Sequence, residues 1–249
     1  MVILKLPEEI EKARASNRIV AEVLDKLREK VKPGATTREL DKFAEEIAEK
    51  RGAKPAFKGY RGYPYSLCAS INEEVVHGMP SARALSEGDI IGLDFGVLYK
   101  GFYGDATITL PVGKVSQSAL KLMDVTEQSL YAGIAQMKEG NRLGDVSAAV
   151  QSTVETAGFS VVRDFVGHGI GRNLHEEPQI PNFGKKGRGV ELKSGMILAI
   201  EPMVNQGDYR VHILPDGWTV VTEDGKLSAH FEHSVAITDN GPEILSKLI

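Results

Sequence analysis

Gly88-Asp89-Ile90-Ile91-Gly92-Leu93-Asp94 and Gly195-Met196-Ile197-Leu198-Ala199-Ile200-Glu201 are the two stretches on which the fold is decided. Each opens on glycine, continues through an apolar run and ends on an acid. A short apolar run of this kind reads as a buried strand. Other landmarks repeat at nearly the same offset. Lys32-Pro33-Gly34 through Gly52 is as long as Lys138-Glu139-Gly140 through Gly158, and the shift puts Gly62 on Gly169. Each half then reads as helix, helix, strands. The helical part of this match could arise by chance; the strand-plus-acid element is harder to produce that way. Matched halves predict a single α+β domain over residues 1–249, pseudo-twofold symmetric, with a site between the halves.

Working outward, Ile10, Ala13, Val20, Val23, Leu24, Leu27 and Val31 fall on one helical face and predict a helix over 7–31. Pro7 suits its first turn, and Pro33-Gly34 lies beyond its end. Thr36 and Glu39 have the spacing of a capping box. The helix they open carries Leu40, Phe43, Ala44 and Ile47, with Gly52 placed to stop it. A second helix pair is expected over 116–138 and 143–157, and strands over 89–95 and 105–110.

The composition narrows the function classes. The chain has 249 residues, 42% hydrophobic and 26% charged, the balance of a water-soluble globular protein. A net charge of −4 gives no support to nucleic-acid binding, which usually needs a basic face. The single cysteine, Cys68, rules out an intrachain disulfide and suits a reducing compartment. The apolar start Met1-Val2-Ile3-Leu4-Lys5-Leu6-Pro7 is too short for a signal-peptide core. No run approaches the ~20 apolar residues of a membrane span. The expectation is a cytoplasmic protein with no membrane partner.

Chemistry-bearing residues cluster in a few segments. If the strands around Tyr99-Lys100 fold back symmetrically, Asp94 and Asp105 become direct cross-strand neighbours, and facing like charges are destabilising. A metal ion would compensate them; the alternative is a pair of exposed acids beside a turn. Glu201 ends an apolar strand and Glu232 lies in Phe231-Glu232-His233-Ser234-Val235-Ala236-Ile237. Buried acids are paired, protonated or metal-bound, and for either glutamate alone an ion pair explains as much. Gly167-His168-Gly169-Ile170-Gly171 surrounds a histidine with glycines, His175 follows in His175-Glu176-Glu177-Pro178, and His77 sits in Val76-His77-Gly78. Four carboxylates and one imidazole (Asp94, Asp105, Glu201, Glu232, His168) would neutralise two divalent cations. Such a donor set suits Mn²⁺, Fe²⁺ or Co²⁺ and can hold Zn²⁺. Two such ions lower the pKa of a shared water and polarise a carbonyl, which is hydrolytic chemistry.

In order, Gly92-Leu93-Asp94-Phe95-Gly96, Gly104-Asp105-Ala106, Gly167-His168-Gly169-Ile170-Gly171 through Pro178, Ile200-Glu201-Pro202 and Phe231-Glu232-His233 resemble the motifs of type I methionine aminopeptidases. The similarity extends over nearly the whole chain. It implies the pita-bread fold: a pseudo-twofold symmetric antiparallel sheet, helices on its outer face, metals between the halves. It implies Asp94, Asp105, His168, Glu201 and Glu232 as ligands of two divalent cations (Co, Mn, Fe or Zn), with Asp105 and Glu232 bridging. His77 and His175 match the family's non-ligand site histidines. Phe57, Tyr60, Tyr63, Cys68, Leu174 and Trp218 fall where the family lines its methionine pocket. His230 stands where many relatives have Gln.

The implied reaction is removal of N-terminal methionine when the second residue is small and uncharged. An activated bridging water attacks the Met carbonyl, His175 stabilises the oxyanion, Glu201 relays a proton and His77 contacts the substrate amide. The implied partners are peptide or nascent-chain N-termini, including those at the ribosome, for a monomeric enzyme. Two rivals share the fold: a peptidase acting next to proline, and a non-catalytic binding protein. Because the chain itself begins Met1-Val2, it is expected to be a slow substrate for itself.

Overall fold

In the computed structural model, residues 2–247 are described. Met1, and with it the question of self-trimming, lies outside them. In chain order the first half holds α1 (Pro7–Arg28), α2 (Thr37–Lys50), β1 (Lys54–Pro55), β2 (Leu67–Ile71), β3 (Glu74–Val76), β4 (Ile90–Tyr99) and β5 (Phe102–Pro111). The second half begins with α3 (Gln117–Ile134), α4 (Leu143–Thr156), β6 (Ser160–Val161), β7 (Gly167–Gly169), β8 (Glu176–Ile180), β9 (Ile197–Ile200) and β10 (Met203–Asn205). It continues with β11 (Val211–Ile213), β12 (Val220–Thr222), β13 (Ser228–His230), β14 (Glu232–Thr238) and β15 (Gly241–Ile244).

The main sheet is antiparallel and runs β1-β4-β5-β14-β9-β7-β8, with β2 against β4 and β15 against β14. The halves meet where β5 pairs β14, through Thr107 opposite Glu232 and Ala106 opposite His233. Strand alternation then divides the labour. On β4 and β5, Ile91, Leu93, Phe95, Ala106, Ile108 and Leu110 pack under α1 and α2, against Val20, Leu24, Leu40 and Ala44. On β9 and β14, Leu198, Ile200, Val235 and Ile237 pack under Leu130, Ile134 and Val146 of the second helix pair. Asp94, Asp105, Thr107 and Glu232 occupy the alternate positions and face away from the helices. This is the pita-bread arrangement.

The repeat read from the sequence recurs in the hydrogen bonding. Gly34 N donates to Leu85 O at 2.8 Å and Gly140 N to Leu192 O at 3.1 Å. Isolated bridges join Thr36 to Ala84 and Arg142 to Glu191. The capping box of α2 is present: Glu39 N donates to Thr36 Oγ1 at 3.2 Å and Thr36 N donates to Glu39 Oε2 at 2.8 Å.

Three expectations are corrected. First, Asp94 and Asp105 are not directly opposed: Asp94 pairs Thr107 and Asp105 pairs Gly96. The turn is centred on Lys100 (φ 51°) and Gly101 (φ 79°), both left-handed as a tight two-residue hairpin requires. Moving the turn centre by one residue shifts the register by two. The acids therefore keep the same face but sit diagonally. Second, Gly62 is not equivalent to Gly169. Gly62 ends a 3-10 turn, whereas Gly169 lies in β7, which pairs β9 as β2 pairs β4. Third, α1 ends at Arg28 and α3 at Ile134, short of the expected 31 and 138.

α1 lies unusually close to the β4–β5 hairpin, and Gly104 permits it. A Cβ at Gly104 would stand 2.7 Å from Asn17 N and 2.9 Å from Ser16 C. The buried Ser16 hydroxyl lies 2.9 Å from Phe102 O, and Asp105 N donates to Asn17 Oδ1 at 3.3 Å. The helix thus grips the strand at the residue beside Asp105. Gly104→Ala should cost about 1–3 kcal/mol through overpacking against backbone. For a chain of this size that is a fall in Tm of roughly 2–12 °C. Urea denaturation checks it; an unchanged midpoint would mean that the helix can retreat freely.

Candidate metal centre

Each acid reaches the centre from a different strand. Asp94 comes from β4, Asp105 from β5, and Glu232 from the first position of β14. Glu201 follows β9 directly, and Asn182 Nδ2 donates to its carbonyl at 3.0 Å. His168 is the central residue of β7, held opposite Ala199 of β9. Asp105, His168 and Glu232 are buried, and each offers one ligand atom within 4.8 Å of the others. His168 Nε2 is 3.5 Å from Glu201 Oε1. Asp94 stands beside them, close enough for its charge to raise the Asp105 carboxyl.

Burial dominates the electrostatics. It pushes the Asp94 carboxyl up to about 7, against the neighbouring Thr107 and Asp105 side chains, which pull it down. Asp105 is raised well above its ordinary value by burial and then by Glu232, Asp94 and Glu201. Glu201 is raised by burial, Glu232 and Asp94; Glu232 by burial and Asp94, while Thr107 Oγ1 donates to its Oε2 at 2.9 Å. Burial lowers His168 to about 4, which keeps its ring neutral. His168 Nδ1 lies 2.9 Å from Gly169 O, so it carries the proton and leaves Nε2 as a free electron pair. Asp94 Oδ1, Asp105 Oδ1 and Glu232 Oε1 are buried with no hydrogen-bond partner. Unpartnered buried oxygens of like charge beside a free imidazole nitrogen fit divalent cations, which none of the lysines or arginines in ion pairs among the described residues replaces here.

The remaining residues singled out from the sequence surround the same cavity. Phe57, Tyr60, Tyr63, Cys68, His77, Leu174, His175 and Trp218 line it together with the five candidate ligands. Tyr63 packs edge-on to Trp218, ring centroids 5.1 Å apart, and its hydroxyl donates to Gly78 O at 3.0 Å. Burial raises the Cys68 thiol, leaving a neutral sulfur in the wall. His175 stands 4.3 Å from His168, ring to ring, with Nδ1 2.8 Å from the Tyr60 hydroxyl. Its outer edge meets solvent, yet desolvation on the cavity side, with His168 and Arg61 beside it, lowers it to about 3. His77 is lowered to about 4 by burial and by His175.

Four neighbours were not assigned from the sequence. Arg61 and Val76 line the cavity. Thr107 steadies Glu232, and its place two residues beyond Asp105, on the same strand face, was a legible signal. His230, noted in the sequence without a role, is buried with an unpartnered Nε2 3.7 Å from Glu201 Oε2.

A buried carboxylate–imidazole cluster at the seam of a two-half curled sheet defines a metallopeptidase of the pita-bread class. The model of metallopeptidase family M24 matches residues 11–239. The chain is 56% identical to a methionine aminopeptidase of Clostridium perfringens, over 99% of each chain. It is 51% identical to methionine aminopeptidase 1 of Bacillus subtilis, over 100% of each. The crystal structure of methionine aminopeptidase from Thermotoga maritima superposes with a TM-score of 0.98 at 51% identity, covering 100% of both chains. Prolidase from Pyrococcus furiosus shares the fold at TM-score 0.81 and 24% identity, covering 99% of this chain and 66% of that one. The chain belongs to metallopeptidase family M24 and, within it, to the methionine aminopeptidases. Among the described residues no helix is long and apolar enough to cross a membrane.

Because the buried carboxylates repel one another, stripping metal with a chelator should lower Tm. Resaturation at 100 times Kd contributes about 2.7 kcal/mol, roughly 5–11 °C here. Glu232→Gln should raise the Tm of the stripped protein and shrink the gain on adding Mn²⁺ or Co²⁺. Calorimetry with and without metal checks both; an undiminished gain in the variant would exclude Glu232 from the centre.

Proposed function

We propose that this chain removes N-terminal methionine from peptides and nascent proteins whose second residue is small and uncharged, as one domain over residues 1–249. The observation that carries the proposal is the set of unpartnered oxygens on Asp94, Asp105 and Glu232, facing His168 beside an aromatic and thiol-lined wall. Asp94, Asp105, His168, Glu201 and Glu232 would hold two divalent cations, with Asp105 and Glu232 shared between them. When bound, such a pair supplies an acidified water and a Lewis acid for a carbonyl.

The chain's own groups do the rest. Tyr63, Cys68 and Trp218, with Phe57, Tyr60 and Leu174, receive the methionine side chain; a soft sulfur and aromatic edges suit a thioether. His175 Nδ1 lies 2.8 Å from the Tyr60 hydroxyl; in this reading the hydroxyl donates, which leaves the proton on Nε2 of a neutral ring. His175 Nε2–H then hydrogen-bonds the carbonyl oxygen of the substrate as it gains charge. Glu201, whose carboxyl lies 3.5 Å from His168 Nε2 at the end of β9, takes a proton from the attacking water and passes it to the leaving nitrogen. His77 holds the substrate amide. The reading extends to a cytoplasmic, monomeric enzyme that meets its substrates as they leave the ribosome; the single cysteine suits a reducing compartment.

Turnover of Met-Ala-Ser by metal-loaded protein, compared with Xaa-Pro peptides, tests the reading. Cleavage of Xaa-Pro in preference would replace it with the proline-directed alternative. Asp105→Asn should abolish turnover while the protein stays folded. His175→Ala should lower kcat about 10²–10³-fold with metal content retained; loss of metal instead would make it a ligand or a prop. Across second residues, Met-Ala should be cut fast, Met-Val slowly and Met-Leu hardly at all. The gradation follows because size discrimination is worth only ~1–3 kcal/mol per methylene-scale step. Equal rates for Met-Ala and Met-Leu would remove the size rule.

A further inference from the structure

Lys5 and Glu176 form an ion pair with Nζ 2.5 Å from Oε2, both side chains 3% exposed. Charged side chains are seldom buried this deeply, and nothing in the chemistry proposed above uses this pair. Its position is specific. Glu176 follows His175 directly, and its other oxygen accepts from Asn173 N at 3.1 Å. Lys5 lies ahead of α1 and is itself fixed: its backbone N donates to Gly195 O at 2.7 Å and its Nζ also donates to Ile3 O at 3.1 Å. A Cβ at Gly171 would collide with the Lys5 stem, so the glycine admits the lysine to this place.

The loop between Gly171 and Glu176 is gripped at both ends by the first half of the chain. Tyr103 N donates to Gly171 O at 2.8 Å, Arg172 pairs with Glu9 of α1, and Glu176 is held by Lys5. Between these grips stand Leu174, buried in the cavity wall, and His175, whose ring is partly exposed. Tyr60 and His168 hold the ring on its cavity side only, so its place over the site also depends on the backbone that carries it.

We propose that the buried Lys5–Glu176 pair is a positioning device that fixes the His175 loop over the site through the segment ahead of α1. The proposal deepens the reading of His175 given above and rests on it for its kinetic consequence. Lys5 and Glu176 touch no reacting atom; they act through His175.

Lys5→Met alone strands a buried carboxylate and should lower Tm by roughly 10 °C. The double variant Lys5→Met with Glu176→Gln removes both charges with little change of shape. It should recover most of that stability, yet leave the loop untethered. In the metal-loaded double variant, kcat for Met-Ala-Ser should fall about 10-fold or more, because displacements of about 1 Å are costly in a positioned site. KM and bound metal should stay within about twofold, and the His175 ring resonances should move. Lys5→Arg, which keeps the charge, should retain most of the kcat. Recovery of both Tm and kcat in the double variant, with unmoved resonances, would reduce the pair to a structural contact and overturn the proposal. A kcat loss that tracks metal loss would overturn it too. Moved resonances with an intact kcat would uphold the positioning and sink the assigned role of His175.

Discussion

Four carboxylates share one buried volume, and that repulsion is the constraint around which this protein is built. Two unit charges 4 Å apart interact by about 4 kcal/mol at an effective dielectric of 20. In the bare chain, neutralisation by protons is the available relief, which is why burial drives all four carboxyls upward and neighbouring acids add to it at Asp105, Glu201 and Glu232. The ion pairs formed among the described residues give these acids no lysine or arginine, and only the neutral rings of His168 and His230 approach Glu201. Cations from outside are what such a cluster requires. The packing follows from the need to hold the acids together regardless: alternate residues of β4, β5, β9 and β14 go to the helices, and the acids take the opposite face.

Strand alternation is the reason so much of the site was legible. An apolar run ending in an acid tells both where a strand is and which face its last residue takes, and Asp94 and Glu201 were readable on that basis. The capping box at Thr36 and Glu39 was readable for a similar reason, since both partners lie within one turn. Register was not. The hairpin could turn at Tyr99-Lys100 or at Lys100-Gly101, and the choice rests on two positive φ angles that only Gly101 hints at. The error moved Asp105 along its strand without moving it to the other face, so the cluster survived the mistake. Gly62 misled for the opposite reason. A glycine matches a glycine in any alignment, while the 3-10 turn at Gly62 and the strand at Gly169 answer to different neighbours. Lys5 and Glu176 lie 171 residues apart, and no local pattern connects them.

The seam between the halves shows how a duplicated plan can carry an unsymmetrical site. The sheet crosses it through two residue pairs, Thr107 with Glu232 and Ala106 with His233. Polar ties then reinforce the crossing. Ser234 Oγ donates to Asp105 O at 2.8 Å, Thr109 Oγ1 donates to His230 O at 2.7 Å, and Arg14 pairs with Glu243. The two hydroxyl contacts involve β5 and β14, which deliver Asp105 and Glu232, so the seam and the centre stiffen together. The first half contributes two aspartates on adjacent strands of one hairpin. The second half contributes a histidine and two longer glutamates from three separate segments, whose extra reach compensates for their spread.

Two imidazoles stand 4.3 Å apart across this centre, and their partners give them opposite characters. His168 donates from Nδ1 to the carbonyl of Gly169, so Nε2 keeps its lone pair and turns to the acids. His175 Nδ1 lies 2.8 Å from the Tyr60 hydroxyl, and the role proposed for His175 needs that hydroxyl to donate, so that the proton stays on Nε2. Both rings are pushed toward neutrality, since a charge on either would be desolvated and would meet the other. Neutrality is what lets each tautomer be set by a single hydrogen bond. In the proposed reaction one ring gives an electron pair to a cation, the other a hydrogen bond to an oxygen that gains negative charge. A protonated His168 could no longer act as a ligand. A His175 with its proton on Nδ1 would direct a lone pair at the oxygen it should stabilise. In that proposal the difference rests on one backbone carbonyl and one phenol, which would give Tyr60 a part in the chemistry of the site as well as in its wall.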